Sequence, residues 1–355
     1  MHITHVNLAR GFRGGERQTE LLIKTLAEQT SNEITQTLIC RNDSPMRQHL
    51  QGVASLKFQS ANHQLAGHFH LGETSFGKTQ QGNTHLVHAH DAKGVHWAYL
   101  HYRLKGTPYL ITRRVDSPVK RKWFNQQCYS HASARVALSH VIKRLLEDNQ
   151  CGDVTLIPSA YARLTPSPEA IKNFRNDFAN KFLVGHAGAV VDRHKGQRLL
   201  LQAAQKLEHQ APDIQFIFLG DGEDAETLKA ESSSLTNVSW LGFKSNIADY
   251  LAGLDVFAFP SRNEGLGSVL LDVMQLGVPV IATKVGGIPD IVKHEQTGLL
   301  IPSGDADALA NSIMRLRQDA VLRQHLAQGA TERLDHYSPQ SMTAAYWHLY
   351  QTIVS

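Results

Sequence analysis

The chain has 355 residues, enough at ~100–200 residues per domain for two separate cores. Its 42% hydrophobic and 19% charged residues exclude a disordered chain, and three cysteines (Cys40, Cys128, Cys151) are too few to staple a domain of this size, so a reducing compartment is expected. Net charge is only +4, but residues up to Thr165 carry +9 and the remainder −5, which makes the halves electrostatically different.

In chain order, short β-rich runs alternate with segments of helical period. Strands are predicted at Ile3–Leu8, Ile34–Cys40, Leu86–His90, Tyr109–Thr112, Val136–Leu138 and Val154–Ile157, with a helix over Glu16–Glu28. Gln59–Thr84 has little apolar periodicity and reads as a long surface loop, with His63, His68 and His70 solvated. Pro158–Pro168 holds three prolines in eleven residues and reads as a linker, which gives domains at 1–165 and 166–337.

Beyond it, strands are predicted at Phe182–Gly185, Ile214–Leu219, Val238–Leu241, Val256–Phe259, Val278–Ala282 and Gly298–Ile301. Helices are predicted at Gln197–Glu208, Gly267–Leu276 and Ala306–Arg317. Ser338–Ile353 opens with Ser-Pro and carries Met342, Tyr346, Leu349 and Tyr350 at helical spacing. Strand then helix, repeated, predicts an α/β protein of two doubly wound, Rossmann-like parallel-sheet domains, with ligands at the carboxyl ends of the strands in a central cleft. No run reaches the ~20 apolar residues of a membrane-spanning helix, and Met1–His5 lacks the basic flank and apolar centre of a secretion signal, so a cytoplasmic protein is expected.

Chemistry-bearing residues gather at strand ends. After the Val256–Phe259 run come Glu264, Gly265, Leu266, Gly267 and Ser268, then a helix containing Asp272; free amides at such a helix start suit phosphate oxygens. The two acids bracket one ligand in this reading, yet a first-turn acid favoured by the helix dipole and a solvated side chain fit the same residues. Arg193, His194 and Lys195 follow another strand and suit a diphosphate. Gly14 and Gly15 sit between the first strand and first helix and allow close backbone approach. By strand parity His88 and His90 share one face and His85 the other, which favours a hydrogen-bonding histidine at the cleft mouth over a metal site.

Gly220–Ala225 matches a dinucleotide fingerprint in form, but Asp221, Glu223, Asp224 and Glu226 would crowd carboxylates around a pyrophosphate. Arg113, Arg114, Lys120, Arg121, Lys122, Trp123 and Phe124 form a basic, partly aromatic stretch suited to an anionic membrane surface or a phosphorylated acceptor; no base-reading module is visible, so nucleic acid is not expected.

Glu264-Gly-Leu-Gly-Ser-Val-Leu-Leu-Asp272, His194-Lys-Gly196, Leu219-Gly-Asp-Gly222, Leu241-Gly-Phe243, Pro279–Thr283 with Gly286–Asp290, and Thr297–Pro302 resemble the retaining nucleotide-sugar glycosyltransferases of family 4, the glycosyl transferases group 1. In the first half the resemblance rests on Gly14-Gly15 and His88-Ala-His90. It implies the GT-B fold, with an acceptor-side first domain carrying the terminal helix (338–355) and a donor-binding second domain. It also implies no metal and no cofactor besides the nucleoside-diphosphate sugar substrate.

By the same resemblance Glu264 takes the donor sugar hydroxyls, the amides of Leu266, Gly267 and Ser268 the diphosphate, and Asp272 the ribose. Lys195 takes the phosphates, Gly14 and Gly15 the phosphate region, His90 the sugar near the reacting carbon, and Phe243 lines the base. Two positions depart from the family pattern: Asp272 stands where Glu is usual, and Ala189 where a phosphate-binding Arg is usual, with Arg193 as its replacement. The implied activity is sugar transfer to a glycan or lipid-linked acceptor in cell-surface polysaccharide or lipopolysaccharide synthesis, the basic first half leaning toward an anionic acceptor at the inner membrane face. Two other classes share these features: a sugar-nucleotide-binding relative without catalysis, and an α/β oxidoreductase.

Overall fold

The computed structural model describes residues 1–30, 33–54, 56–61, 84–120 and 122–355. The expected loop at Gln59–Thr84, with His63, His68 and His70, therefore lies mostly outside the described residues, as does Arg121. The chain divides into two compact units, Met1–Ala160 with Ser338–Ser355, and Tyr161–Tyr337.

In the first unit, strands β1 (His2–Val6), β2 (Thr35–Cys40), β3 (Leu56–Ser60), β4 (Leu86–Ala89), β5 (Tyr109–Arg113), β6 (Ala134–Ala137) and β7 (Val154–Leu156) form one sheet, in the order β3-β2-β1-β4-β5-β6-β7. Every pairing is parallel. Strand β3 corrects the expectation of irregular structure from Gln59 onward: an edge strand rich in polar residues, only partly buried, leaves almost no apolar alternation to read. The terminal helix Pro339–Val354, capped by Ser338, buries Met342, Tyr346 and Tyr350 against Ile3, Leu22, Leu26, Leu86 and Leu110 of this unit.

In the second unit, β8 (Phe182–Ala187), β9 (Ile214–Leu219), β10 (Val238–Gly242), β11 (Val256–Phe259), β12 (Val280–Thr283) and β13 (Leu299–Ile301) are ordered β10-β9-β8-β11-β12-β13, again all parallel. The helices Gln197–Leu207 and Ala306–Gln318 cover it, seating Leu200, Ala204, Leu309 and Ile313 on Phe216, Phe218 and Ile281. The strand order of each sheet reverses once, between β1 and β4 and between β8 and β11, and such switch points are where doubly wound sheets leave room for a ligand.

The proline-rich stretch is pinned rather than loose. Ala160 exchanges both backbone hydrogen bonds with the Gln18 side chain, at 2.9 and 2.7 Å. Leu164 does the same with Gln275, at 3.0 Å each way. Among the described residues no helix is long and apolar enough to cross a membrane.

Candidate functional site

On the second unit, β11 pairs with β8 through Val256 to Val184 and Phe257 to Gly185, so the loops leaving their carboxyl ends lie side by side. The first loop makes a single helical turn, Asp192–Lys195, closed by Gly196 at φ +69°. Only glycine fits there: besides the left-handed backbone, a Cβ would stand 2.2 Å from the Pro260 carbonyl oxygen in the neighbouring loop. The amides of Arg262 and Asn263 donate to the His194 carbonyl at 2.8 and 3.4 Å and stitch the loops together.

That stitching brings Lys195 Nζ to Glu264 Oε2 at 2.6 Å, with the ammonium 5.3 Å over the Phe259 ring. Glu264 is held from behind as well. Its carbonyl accepts from the Gly287 amide at 3.0 Å, and Gly286, at φ +52°, passes so near that a Cβ would lie 1.9 Å from that oxygen. The two side chains are 25% and 17% exposed, so an entering ligand meets a fixed cation and a fixed carboxylate.

The other expected donor residues are placed as follows. Gly267 lies in the left-handed region at φ +84° against Phe259 and the Glu264 side chain, and Leu266 is buried. The helix begins at Val269 rather than Gly267 and runs only to Gln275, so the amides of Leu266, Gly267 and Ser268 precede it. Asp272 departs from the expectation of a cleft-facing or solvated acid. It is buried, and its Oδ1 accepts from the Ala162 amide at 2.7 Å. Arg193 is largely exposed and pairs with Glu223 at 3.1 Å. Phe243 projects into solvent just after β10, 77% exposed.

At the family's arginine position, Ala189 offers its carbonyl to Gln197 Nε2 at 2.9 Å. The acidic loop after β9 braces this region: Asp224 accepts from the Asp192 amide at 2.7 Å, and Glu223 pairs with Arg193.

On the first unit, the switch point is filled by imidazoles. Asp91 caps the helix Ala92–Lys105 through Lys93 and Gly94 and also accepts from the Leu8 amide at 3.0 Å, tying the loop after β4 to the loop after β1. Gly14 and Gly15 form the first turn of the helix Gly14–Gln29, two residues earlier than the sequence suggests, because the Glu16 side chain reaches back to accept from the Arg13 amide at 2.9 Å. His90, expected at an open mouth, is buried beside His88 and His5, with ring centroids 3.7 and 5.2 Å away.

Hydrogen bonding fixes the tautomers of this cluster. Gln36 Nε2 donates to the Ile23 carbonyl at 3.1 Å, so its Oε1 faces His5 Nε2 at 3.1 Å and that nitrogen carries the proton. Burial pulls the His5 pKa down to about 4, leaving Nδ1 bare to accept from His90 Nε2 at 3.0 Å. His90, held far below the usual histidine range by burial, then has a lone pair on Nδ1, which is buried with no hydrogen-bond partner.

His88 is satisfied by Tyr350 and Thr112 hydroxyls, each at 2.7 Å. Nitrogens of the three rings lie within 4.8 Å of one another, the geometry of a metal-binding group. Every ring nitrogen except His90 Nδ1 is already engaged, so a cation would have to displace the network. His5 and Gln36 carried no sequence signal, because they are joined to His90 only by adjacency of β1, β2 and β4.

Residues 169–333 match the family model for glycosyl transferases group 1. The lipopolysaccharide core biosynthesis glycosyltransferase LpsD of Rhizobium meliloti is 30% identical over 203 residues, 56% of this chain and 57% of that protein. LpsE of the same organism, likewise a lipopolysaccharide core biosynthesis glycosyltransferase, is 32% identical over 166 residues, 46% and 47% of the two chains. The chain thus spans about half the length of these curated relatives.

The crystal structure of Anabaena HepE in complex with UDP-glucose superposes with a TM-score of 0.80 over 99% of this chain and 100% of that one, at 20% identity. Residues 169–333 are a glycosyl transferases group 1 domain, and the fold of the chain is that of the GT-B glycosyltransferases.

Proposed function

We propose that the protein is a retaining glycosyltransferase that moves a sugar from a nucleoside-diphosphate donor to a glycan or lipid-linked acceptor in lipopolysaccharide or related cell-surface polysaccharide synthesis. The observation that carries this reading is the Lys195–Glu264 pair at the adjoining ends of β8 and β11, inside a glycosyl transferases group 1 domain. Likeness to lipopolysaccharide core glycosyltransferases and to a protein solved with UDP-glucose supports the substrate class.

In the reaction, the bond from the sugar to the diphosphate breaks and the sugar acquires oxocarbenium character. Lys195 and the amides of Leu266, Gly267 and Ser268 take up the charge developing on the departing diphosphate. Glu264 accepts hydrogen bonds from the sugar hydroxyls, and Lys195 holds its carboxylate in place for that task. The acceptor hydroxyl attacks from the face that the diphosphate leaves and passes its proton to the departing phosphate oxygen, so neither carboxylate is a nucleophile, unlike the paired acids of glycoside hydrolysis. The fixed cation and amides supply the neutralisation. In this reading Phe243, which is exposed, lines the base, and His90 Nδ1, which has no hydrogen-bond partner, accepts from a sugar hydroxyl.

The test is a thermal-shift screen of nucleoside diphosphates and their sugars, followed by donor turnover with the one that binds. Release of nucleoside diphosphate, slow without acceptor and faster with a lipopolysaccharide-type glycan, is expected. A protein that binds the donor and never turns it over is a non-catalytic relative instead.

A further inference from the structure

Among the described arginines that are not exposed, every guanidinium but one has a hydrogen-bond or ion-pair partner, and several exposed ones do too. Arg41, Arg175, Arg198, Arg315 and Arg317 each face a carboxylate. Buried Arg135 donates to the carbonyls of Tyr129 and Ser130, both at 2.7 Å. Arg113, the neighbour of Arg114, donates to the Tyr129 hydroxyl at 3.2 Å. Arg114 is different. It leaves the carboxyl end of β5 and has no hydrogen bond or ion pair among the described residues, and its Nε is buried without a partner.

Leaving a sheltered cation without a hydrogen-bonded partner is costly, and a bound anion is one way in which native structures complete such a group. Gly15 lies against the Arg114 stem, where a Cβ would come within 3.3 Å of Cδ. The nearby Glu16 carboxylate accepts from the Arg13 amide at 2.9 Å and acts on Arg114 through its charge, with no hydrogen bond or ion pair to it. Another of the buried polar atoms without a hydrogen-bond partner in this unit, the His90 Nδ1 lone pair, feels the same charge, since Arg114 adds to the depression of both the His88 and His90 pKa values. An unpaired planar donor fork and an unpaired acceptor that follow the carboxyl ends of the paired strands β5 and β4 match a ligand with oxyanion oxygens and a hydroxyl, which is a phosphate ester of a polyol.

We propose that Arg114 is the centre of a phosphate-binding position on the first unit, with His90 Nδ1 taking a hydroxyl of the same ligand. The binding position itself is independent of the glycosyl-transfer reading. That reading enters only in naming whose phosphate it is, the donor's diphosphate or a phosphate on the acceptor.

The full chain is titrated with inorganic phosphate and, separately, with UDP, following the arginine Nε–H resonance that disappears in Arg114→Met. In the wild type, phosphate shifts this resonance, and Arg114→Met binds phosphate at least about tenfold more weakly. Loss confined to inorganic phosphate assigns the position to the acceptor; loss for UDP as well assigns it to the donor. Because the charge has no hydrogen-bonded partner, ligand-free Arg114→Met melts no lower than the wild type, an effect that a purely structural arginine does not give.

If Arg114→Met does not fold, Gly15→Ala, which crowds the Arg114 stem, is titrated in its place and weakens phosphate binding. A wild-type resonance unmoved by phosphate, or phosphate and UDP affinities in the variant within twofold of wild type, overturns the proposal. A wild type that binds phosphate through Arg114 but binds and turns over no nucleotide sugar overturns the glycosyl-transfer reading and leaves the position standing.

Discussion

Lys195 Nζ and Glu264 Oε2 meet at 2.6 Å although 69 residues separate them in sequence. The contact depends on two backbone approaches that no side chain can enter, Gly196 onto Pro260 and Gly286 onto Glu264.

Gly196→Ala and Gly286→Ala therefore each force the loops apart. A side chain in a left-handed backbone against a carbonyl costs about 1–3 kcal/mol, and the displaced Lys195 or Glu264 should lower donor turnover further than the stability loss explains. Urea unfolding with parallel activity assays reads both effects. Gly277, also left-handed but with open space around it, is the control, and Gly277→Ala should cost stability without a specific loss of turnover.

Asp272 and Ala162 form a second long-range contact, 110 residues apart in sequence. Asp272→Ala strands a backbone amide and should destabilise the second unit by about 1–3 kcal/mol. Asp272→Asn keeps an oxygen acceptor and should cost less. Equal stability in wild type and Asp272→Ala, measured by denaturant unfolding, would remove the pinning role.

His186 gives a pH dependence with a defined sign. It is buried, and burial lowers its pKa to about 4 from 6.5; its Nδ1 donates to the Ala258 carbonyl at 3.0 Å. The unfolded state takes up the proton first, so this contribution is complete above the unfolded pKa of 6.5 and is lost as pH falls toward about 4. Between about pH 7 and about pH 4.5 the second unit should lose about 2 kcal/mol through this residue. His186→Gln should flatten the profile by that amount, and an unchanged slope would contradict the assignment.

The imidazole network makes a spectroscopic prediction. Nitrogen-15 shifts should report His5 and His90 as neutral Nε2–H tautomers at neutral pH, the arrangement imposed by Gln36. Gln36→Leu removes the acceptor and should mix the tautomers, whereas Gln36→Glu retains it and should keep them. A His90 proton resident on Nδ1 in the wild type would contradict the hydrogen-bond directions.

Much of this was legible in the sequence. Buried strands such as Ile214–Leu219 are continuous apolar runs, and the glycine-rich turns around Glu264 and Lys195 lie directly after them. Local pattern also marked the terminal helix, with Met342, Tyr346 and Tyr350 on one face. What escaped was set by pairing across the fold. Strand β3 is a half-buried edge with too short an alternation. Glu16 moved a helix start to Gly14 through its capping contact with Arg13. His5 and Gln36 became part of the His90 environment only through the sheet order, and Asp272 turned to the segment following Ala160. Arg114 was visible as charge, and its isolation required knowing every neighbour.

The central claim is that Lys195 receives the departing diphosphate. The most direct measurement takes the nucleoside diphosphate that most raises the melting temperature of the wild type, and determines its affinity and the turnover of its sugar in Lys195→Ala. A charge-assisted contact worth about 2 kcal/mol predicts more than tenfold loss in both, in a protein that melts near the wild-type temperature. Affinity and turnover equal to wild type in a folded Lys195→Ala protein would contradict the account.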